Sequence, residues 1–168
     1  MENNGSEYRY SYYQMSDLVE RFCCRGQSSA EKDYGSGTYF YRVEIHILST
    51  ISDEPGITVT QLAAKWDRTK GAISQIVKKL EKKGYLYRRK DASDGKVIKL
   101  YVTDEGLRHV EAHKRFDSIT YRVFMEHLEK TVPKEHIEHF YEVMAAWINT
   151  PPEALERTTE EIMKALDE

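Results

Sequence analysis

The sequence predicts a mainly helical chain with one small β-hairpin, on three observations. Apolar residues recur at helical spacing through most of the 168 residues. Two short amphipathic segments, each opened by a threonine suited to cap a helix, follow one another closely between residues 58 and 83. The period then switches to strand alternation around a glycine turn before helical spacing resumes. That order describes a winged helix-turn-helix core carrying a small β-hairpin wing, with further helices at both ends.

Met15, Leu18, Val19 and Phe22 keep helical spacing, which predicts a first helix over roughly residues 8–32. The stretch QSSAEKDYGSG, with Gly35 and Gly37, reads as a break. Phe40, Val43, Ile47, Leu48 and Ile51 mark a second helix that ends at the turn Asp53-Glu54-Pro55-Gly56. Thr58-Val59-Thr60-Gln61 has capping-box form, and Leu62, Ala63 and Trp66 continue a short helix. Asp67-Arg68 make a turn, and Thr69 caps a further helix whose Ile73, Ile76, Val77 and Leu80 face inward until Gly84 stops it. Tyr85–Arg89 and Ile98–Val102 read as two strands joined through Asp94-Gly95. A long helix is expected from about Asp104 to Lys130, with Leu107, Val110, Tyr121, Phe124 and Leu128 as its stripe. Another follows Pro133, with Ile137, Phe140, Met144, Trp147 and Ile148 on one face, and a short polar helix closes the chain after Pro151-Pro152.

Composition narrows the function classes. At 40% apolar and 32% charged, the chain is globular in character. No run approaches the roughly 20 apolar residues of a membrane span. The N-terminus lacks a basic-then-apolar leader, and Cys23 and Cys24 are neighbours, so a disulfide framework is not expected. A cytoplasmic protein without a membrane partner is the expectation. No G-x-S-x-G, phosphate-cradling glycine loop, C-x-x-C or H-E-x-x-H occurs, so no enzyme is expected and no cofactor is required.

Charge is distributed unevenly. Lys65 to Lys99 holds twelve basic residues against four acidic ones, a local +8, which leaves −11 elsewhere within the overall −3. A concentrated basic block on an acidic body suits a polyanion. A major groove about 12 Å wide admits one helix. The second short helix offers Thr69, Lys70, Gly71, Ser74, Gln75 and Lys78 on its polar side. Gln75 and Lys70 suit base edges, while Ser74 and Lys78 suit phosphates; Gly71 permits close approach of the helix end. Arg88, Arg89 and Lys90 can neutralise phosphates along the hairpin stem, and Lys96 at its tip fits a minor groove. Double-stranded DNA is the expected partner. The competing expectation is a winged-helix module that binds protein instead.

The run from Thr58 to Gly106, with its LEKKG helix ending, RRKDASDGK wing and VTDEG segment, resembles the MarR family of transcription regulators. The resemblance is motif-level over residues 57–106 and extends as helix order over roughly 8–149. It implies a homodimer with intertwined terminal helices, a palindromic operator, and DNA contacts by Thr69, Lys70, Ser74, Gln75 and Lys96. By family habit it implies a repressor released or engaged by a small effector. Under it, residues 1–52 hold the N-terminal dimerisation helices and the second helix of the core, 53–105 the winged helix-turn-helix, and 106–168 the C-terminal dimerisation helices. This chain departs from the family in having Gly95 and Lys96 where arginines are usual, and lysine lacks arginine's planar fork.

Three groups are candidates for the effector response. His113 and Asp117 are four apart and share a helix face, and His46 lies within the second helix. Zinc-responsive relatives resemble this chain in placing a histidine on the second helix and ligands four apart on the fifth. Imidazole and carboxylate suit zinc. His109 with His113 is a rival pair, and Glu31 and Asp33 are candidates for a further acidic ligand. Cys23 and Cys24, flanked by Arg21 and Arg25, are candidates for thiol-redox sensing. Tyr8, Tyr10, Tyr12, Tyr13, Tyr34, Tyr39 and Tyr41 crowd the N-terminal third and suit dimer packing or a ligand pocket.

Overall fold

The computed structural model describes residues 11–26, 30–151, 153, 161–164 and 166. The chain divides into two compact units, residues 1–117 and 118–168. In the first, α1 (Tyr12–Gly26) is shorter than the expected 8–32. Past it the chain forms a two-strand ribbon of β1 (Lys32–Asp33) and β2 (Tyr39–Phe40), pairing Lys32 with Phe40 and Asp33 with Tyr39. The ribbon turns within the expected break, where Asp33 Oδ1 accepts the backbone N–H groups of Gly35, Ser36 and Gly37 at 2.8, 3.0 and 3.1 Å. That turn chemistry competes with helix and turns Phe40 into the core, fully buried.

Helix α2 (Arg42–Asp53) buries Ile45, Ile47, Leu48 and Ile51. It also buries Glu44, which lies three residues before Ile47 and four before Leu48 on the same helix face. Helix α3 (Val59–Lys65) starts with the expected reciprocal cap: Gln61 N donates to Thr58 Oγ1 at 3.3 Å and Thr58 N to Gln61 Oε1 at 2.9 Å. Trp66 ends α3 and Asp67 turns the chain at φ 46°. Aspartate tolerates this left-handed region better than most residues. Helix α4 (Lys70–Lys82) is capped by Thr69, whose Oγ1 accepts from Ala72 N at 3.2 Å, and it buries Ile73, Val77 and Leu80. Gly84, at φ 78°, ends the reversal into the hairpin.

Strands β3 (Leu86–Lys90) and β4 (Ile98–Val102) pair antiparallel, with Leu86 opposite Val102 and Lys90 opposite Ile98. Leu86 and Leu100 anchor this wing in the core. Helix α5 (Asp104–Leu128) begins where Thr103 donates its hydroxyl to Gly84 O at 2.7 Å and accepts from Gly106 N at 3.1 Å. Gly106 has a steric reason: a Cβ there would lie 2.0 Å from the Tyr85 carbonyl oxygen.

Of the expected α5 stripe, Val110 is buried, while Leu107, Tyr121 and Phe124 are exposed. Within the second unit, α6 (Lys134–Ile148) has no buried residue, and Phe140, Tyr141, Val143 and Ile148 face outward. On α1, Tyr13, Met15 and Leu18 are exposed as well. Tyr8 and Tyr10 lie outside the described residues, as do most positions of the expected closing helix, of which 161–164 are helical. No helix among the described residues is long and apolar enough to cross a membrane.

Candidate nucleic-acid interface

The face of α4 opposite its buried residues is polar and open. Thr69, Lys70, Gly71, Gln75 and Lys78 are exposed, and Ser74 is half-buried. Helical spacing sets these side chains against Ile73, Val77 and Leu80, which hold the helix to the core. The threonine cap fixes the start of α4 and uses the Thr69 oxygen internally. The remaining free amides and the dipole leave partial positive charge at that end.

Cations of the basic block fall into two sets that the sequence does not separate. Among the described residues no acid pairs with Lys70, Lys78, Lys90 or Lys96, and all four are exposed. Other cations are engaged within the protein. Arg88 Nε donates to Glu81 Oε2 at 2.9 Å. Arg89 Nη2 donates to Tyr101 Oη at 2.9 Å, with its guanidinium 4.5 Å from that ring's centre. Lys79 binds the buried Glu44, and Lys99 binds Asp91. Arg88 and Arg89, both expected on phosphates, thus each have a partner within the protein already in place.

The wing tip is tightly organised. Asp91 Oδ1 accepts from Ser93 N at 2.8 Å and Asp94 N at 3.1 Å, and Asp94 Oδ1 accepts from Lys96 N at 2.9 Å. Lys99, followed by Ser93 and Asp94, holds the Asp91 carboxyl well below the usual carboxylate range. Lys96 is thus presented on an ordered turn with its ammonium in solvent.

A second constellation joins α2 and α5. One ligand atom from each of His46, His113 and Asp117 falls within 4.8 Å of the others. The imidazoles meet edge to face at 4.8 Å, and His113 Nε2 lies 3.4 Å from Asp117 Oδ2. That nitrogen is buried and without a hydrogen-bond partner among the described residues. Burial holds both imidazoles below their usual pKa; the neighbouring His113 and Arg42 add to this at His46, while Asp117 opposes it at both. The rival ligands do not join. His109 packs against the rings of Tyr85 and Phe40 at 4.6 and 5.1 Å. Asp33 is committed to its turn, and Glu31 lies 3.7 Å from Lys79. Cys23 and Cys24 are on α1, but their side chains lie outside the described residues.

Comparison with known proteins agrees with this geometry. The sequence model of the MarR family matches residues 40–98. An uncharacterised HTH-type transcriptional regulator, YhjH of Bacillus subtilis (strain 168), is 26% identical over 118 residues, 70% of this chain and 67% of that protein. Streptococcus pneumoniae FabT, solved in complex with DNA, superposes with a TM-score of 0.63 at 20% identity, over 90% of this chain and 99% of that one. The MarR family transcription regulator SP03579 gives 0.68 at 19% identity, over 90% and 92% of the two chains. Capped helix, turn, polar helix and basic wing thus stand in the order and arrangement of a known fold, and residues 40–98 are similar to the MarR family.

Proposed function

We propose that this protein is a transcriptional regulator that binds double-stranded DNA in a sequence-specific way. The observation that carries the reading is the exposed polar face of α4, flanked by four unpaired lysines on the helix and wing. Gln75 and Lys70 read base edges, Ser74 and Lys78 grip the backbone, and Lys96 enters the minor groove. The protein works as a homodimer on a palindromic operator, with half-sites about 34–36 Å apart. Exposed apolar side chains on α1 and α6, among them Leu18, Phe140 and Ile148, support a second copy as their cover. Its setting is cytoplasmic, and it represses until an effector changes the separation of the recognition helices.

Footprinting on the DNA upstream of its own gene, across a salt series, tests this. The expected result is a specific site with a log–log salt slope of roughly −7, if each of those lysines in both subunits neutralises one phosphate. Absent or salt-insensitive binding would overturn it.

The geometry at His46, His113 and Asp117 favours a metal as the effector. Two neutral imidazoles and a carboxylate are a zinc-type donor set with one position left for water. The orphaned Nε2 of His113 fits this, since ligation would satisfy it. Elemental analysis of the zinc-equilibrated dimer should find one metal per chain, and none in His113→Ala. A metal-free wild type after zinc addition would remove the reading.

A further inference from the structure

Resting on the metal reading above, we propose that Trp66 is a positioning residue that carries occupancy of the His46, His113 and Asp117 site to α4, the helix offered to DNA.

His113 Nε2 and Asp117 Oδ2, both from α5, already stand 3.4 Å apart. Two ligands of a tetrahedral zinc at about 2.0–2.1 Å stand roughly 3.3 Å apart, so this pair needs little adjustment. His46 comes from another helix, and the three ligand atoms lie within 4.8 Å of one another. Closing the site on a metal therefore falls chiefly to the His46 imidazole. That ring also meets the indole of Trp66 edge to face, with centres 6.1 Å apart. This is within the range of a specific aromatic contact. A displaced imidazole changes what the indole packs on.

The indole is held by packing alone. It lies against the apolar core, and its Nε1 is buried with no hydrogen-bond partner among the described residues. No polar anchor keeps the ring in place, and a shift that offered this donor an acceptor would be favourable. Its backbone, by contrast, is well tied. Trp66 N donates to Leu62 O at 3.0 Å, and Arg68 N donates to Ala63 O at 3.0 Å, which folds the turn back onto α3. Asp67 sits between them at φ 46°, a small allowed region with little room to vary. Thr69 follows directly as the cap of α4. The end of α3 and the start of α4 thus move as one piece, and a shift of Trp66 re-aims Lys70, Ser74 and Gln75.

Operator affinity of the full-length protein, measured with and without zinc on a duplex carrying the footprinted site, tests the proposal. In wild type, zinc should change that affinity by roughly 5–150-fold, the usual span of coupling between two sites. Trp66→Leu should take up zinc as wild type does, by competition against a chromophoric chelator, while the factor falls close to one. Lys65→Met breaks another tie between α2 and α3, the pair of Lys65 with Glu54, and should keep the wild-type factor. A second measurement needs no change at Trp66. The chain has two tryptophans, so Trp147→Phe leaves Trp66 as the reporter. Its emission should change on zinc addition, and should not once His46→Ala is added. The positioning role alone is overturned by a zinc-binding wild type with no change in operator affinity, or by a full factor or lost zinc uptake in Trp66→Leu. An equal loss of the factor in Lys65→Met, or unmoved Trp66 emission, overturns it as well. No zinc uptake by wild type overturns the metal reading and the proposal together.

Discussion

Lys79 of α4 reaches back to Glu44 of α2, a residue only 3% exposed. The same carboxylate accepts the backbone N–H of Tyr41 at the start of α2, at 3.3 Å. Lys79 also lies 4.7 Å from the Tyr41 ring centre. One buried acid thus ties α4 to the helix that carries Arg42 and His46. A lysine within the basic block is thus engaged in holding α4 to α2.

The two ends of this pair should not be equivalent. Lys79→Met leaves a buried carboxylate without its cation and should cost about 2–3 kcal/mol, at the low end for a broken buried pair because Lys79 is itself partly solvated. Glu44→Gln keeps an acceptor for Tyr41 and frees Lys79 into water, so roughly 1 kcal/mol is expected. Urea denaturation of both variants measures the difference, and an equal cost would show that burial of Glu44 does not govern it.

Gly106→Ala should be among the most damaging single changes in the chain. The added methyl would meet the Tyr85 carbonyl oxygen at 2.0 Å and Val102 Cγ1 at 2.7 Å, and the first of these is backbone. Thr103 ties both flanking segments together, so neither can withdraw freely. A loss of about 2–4 kcal/mol is expected, with the wing root displaced. Thermal unfolding reads it directly.

Gly71→Ala should behave in the opposite way. The nearest atom to its added Cβ is Thr69 Oγ1 at 4.0 Å, so the protein itself has no steric need for glycine there. Stability should hold or rise by up to ~1 kcal/mol. Operator affinity should fall nonetheless, because the methyl stands on the exposed face at the start of α4. Unchanged affinity would mean that this helix end does not approach DNA closely.

Much of this architecture is legible in the residues. Thr58 with Gln61, and Thr69 alone, announce two helix starts, because capping is local chemistry. Asp94-Gly95 and the alternation through Ile98, Leu100 and Val102 announce the wing. The pairing of Glu44 is not legible: spacing sets this acid on the apolar face of α2, but its cation, Lys79, comes from another helix. The pairing of Arg88 with Glu81 and of Arg89 with Tyr101 is hidden for the same reason: each partner is set by the fold, seven and twelve residues away. The β1–β2 ribbon escapes because two-residue strands carry no period. His113 and Asp117 are placed together by helix spacing, whereas His46 joins them only through the packing of α2 on α5.

Separating engaged from free cations yields a salt-slope experiment. Lys78→Gln should lower the slope of log K against log salt by about 0.9 per subunit. Arg88→Gln should lower it less, because that charge is already balanced by Glu81. Fluorescence anisotropy on operator DNA over a salt series distinguishes them. Equal slopes would indicate that Arg88 abandons Glu81 for phosphate when bound.

Acid sensitivity should trace in part to His109. This imidazole is 5% exposed, lies between the rings of Tyr85 and Phe40, and has no hydrogen-bond partner at either nitrogen among the described residues. Burial lowers its pKa from 6.5; Glu105 and Asp33 oppose the shift, while Arg108 and Lys83 reinforce it. The folded protein therefore takes up this proton less readily than the unfolded chain. Above about pH 6.5 the group is neutral in both states and stability is independent of it. As pH falls below that value the unfolded chain gains the proton first, and stability drops until the folded pKa is reached, by up to about 1.4 kcal/mol per pH unit. His109→Phe keeps an aromatic ring against Tyr85 and Phe40 and removes the proton site. Its stability should be nearly that of wild type at pH 7.5 and higher at pH about 5.5. Part of the slope should persist, since His46 and His113 are shifted the same way. Urea denaturation across this range decides the matter: a variant with the wild-type slope would place the acid sensitivity elsewhere.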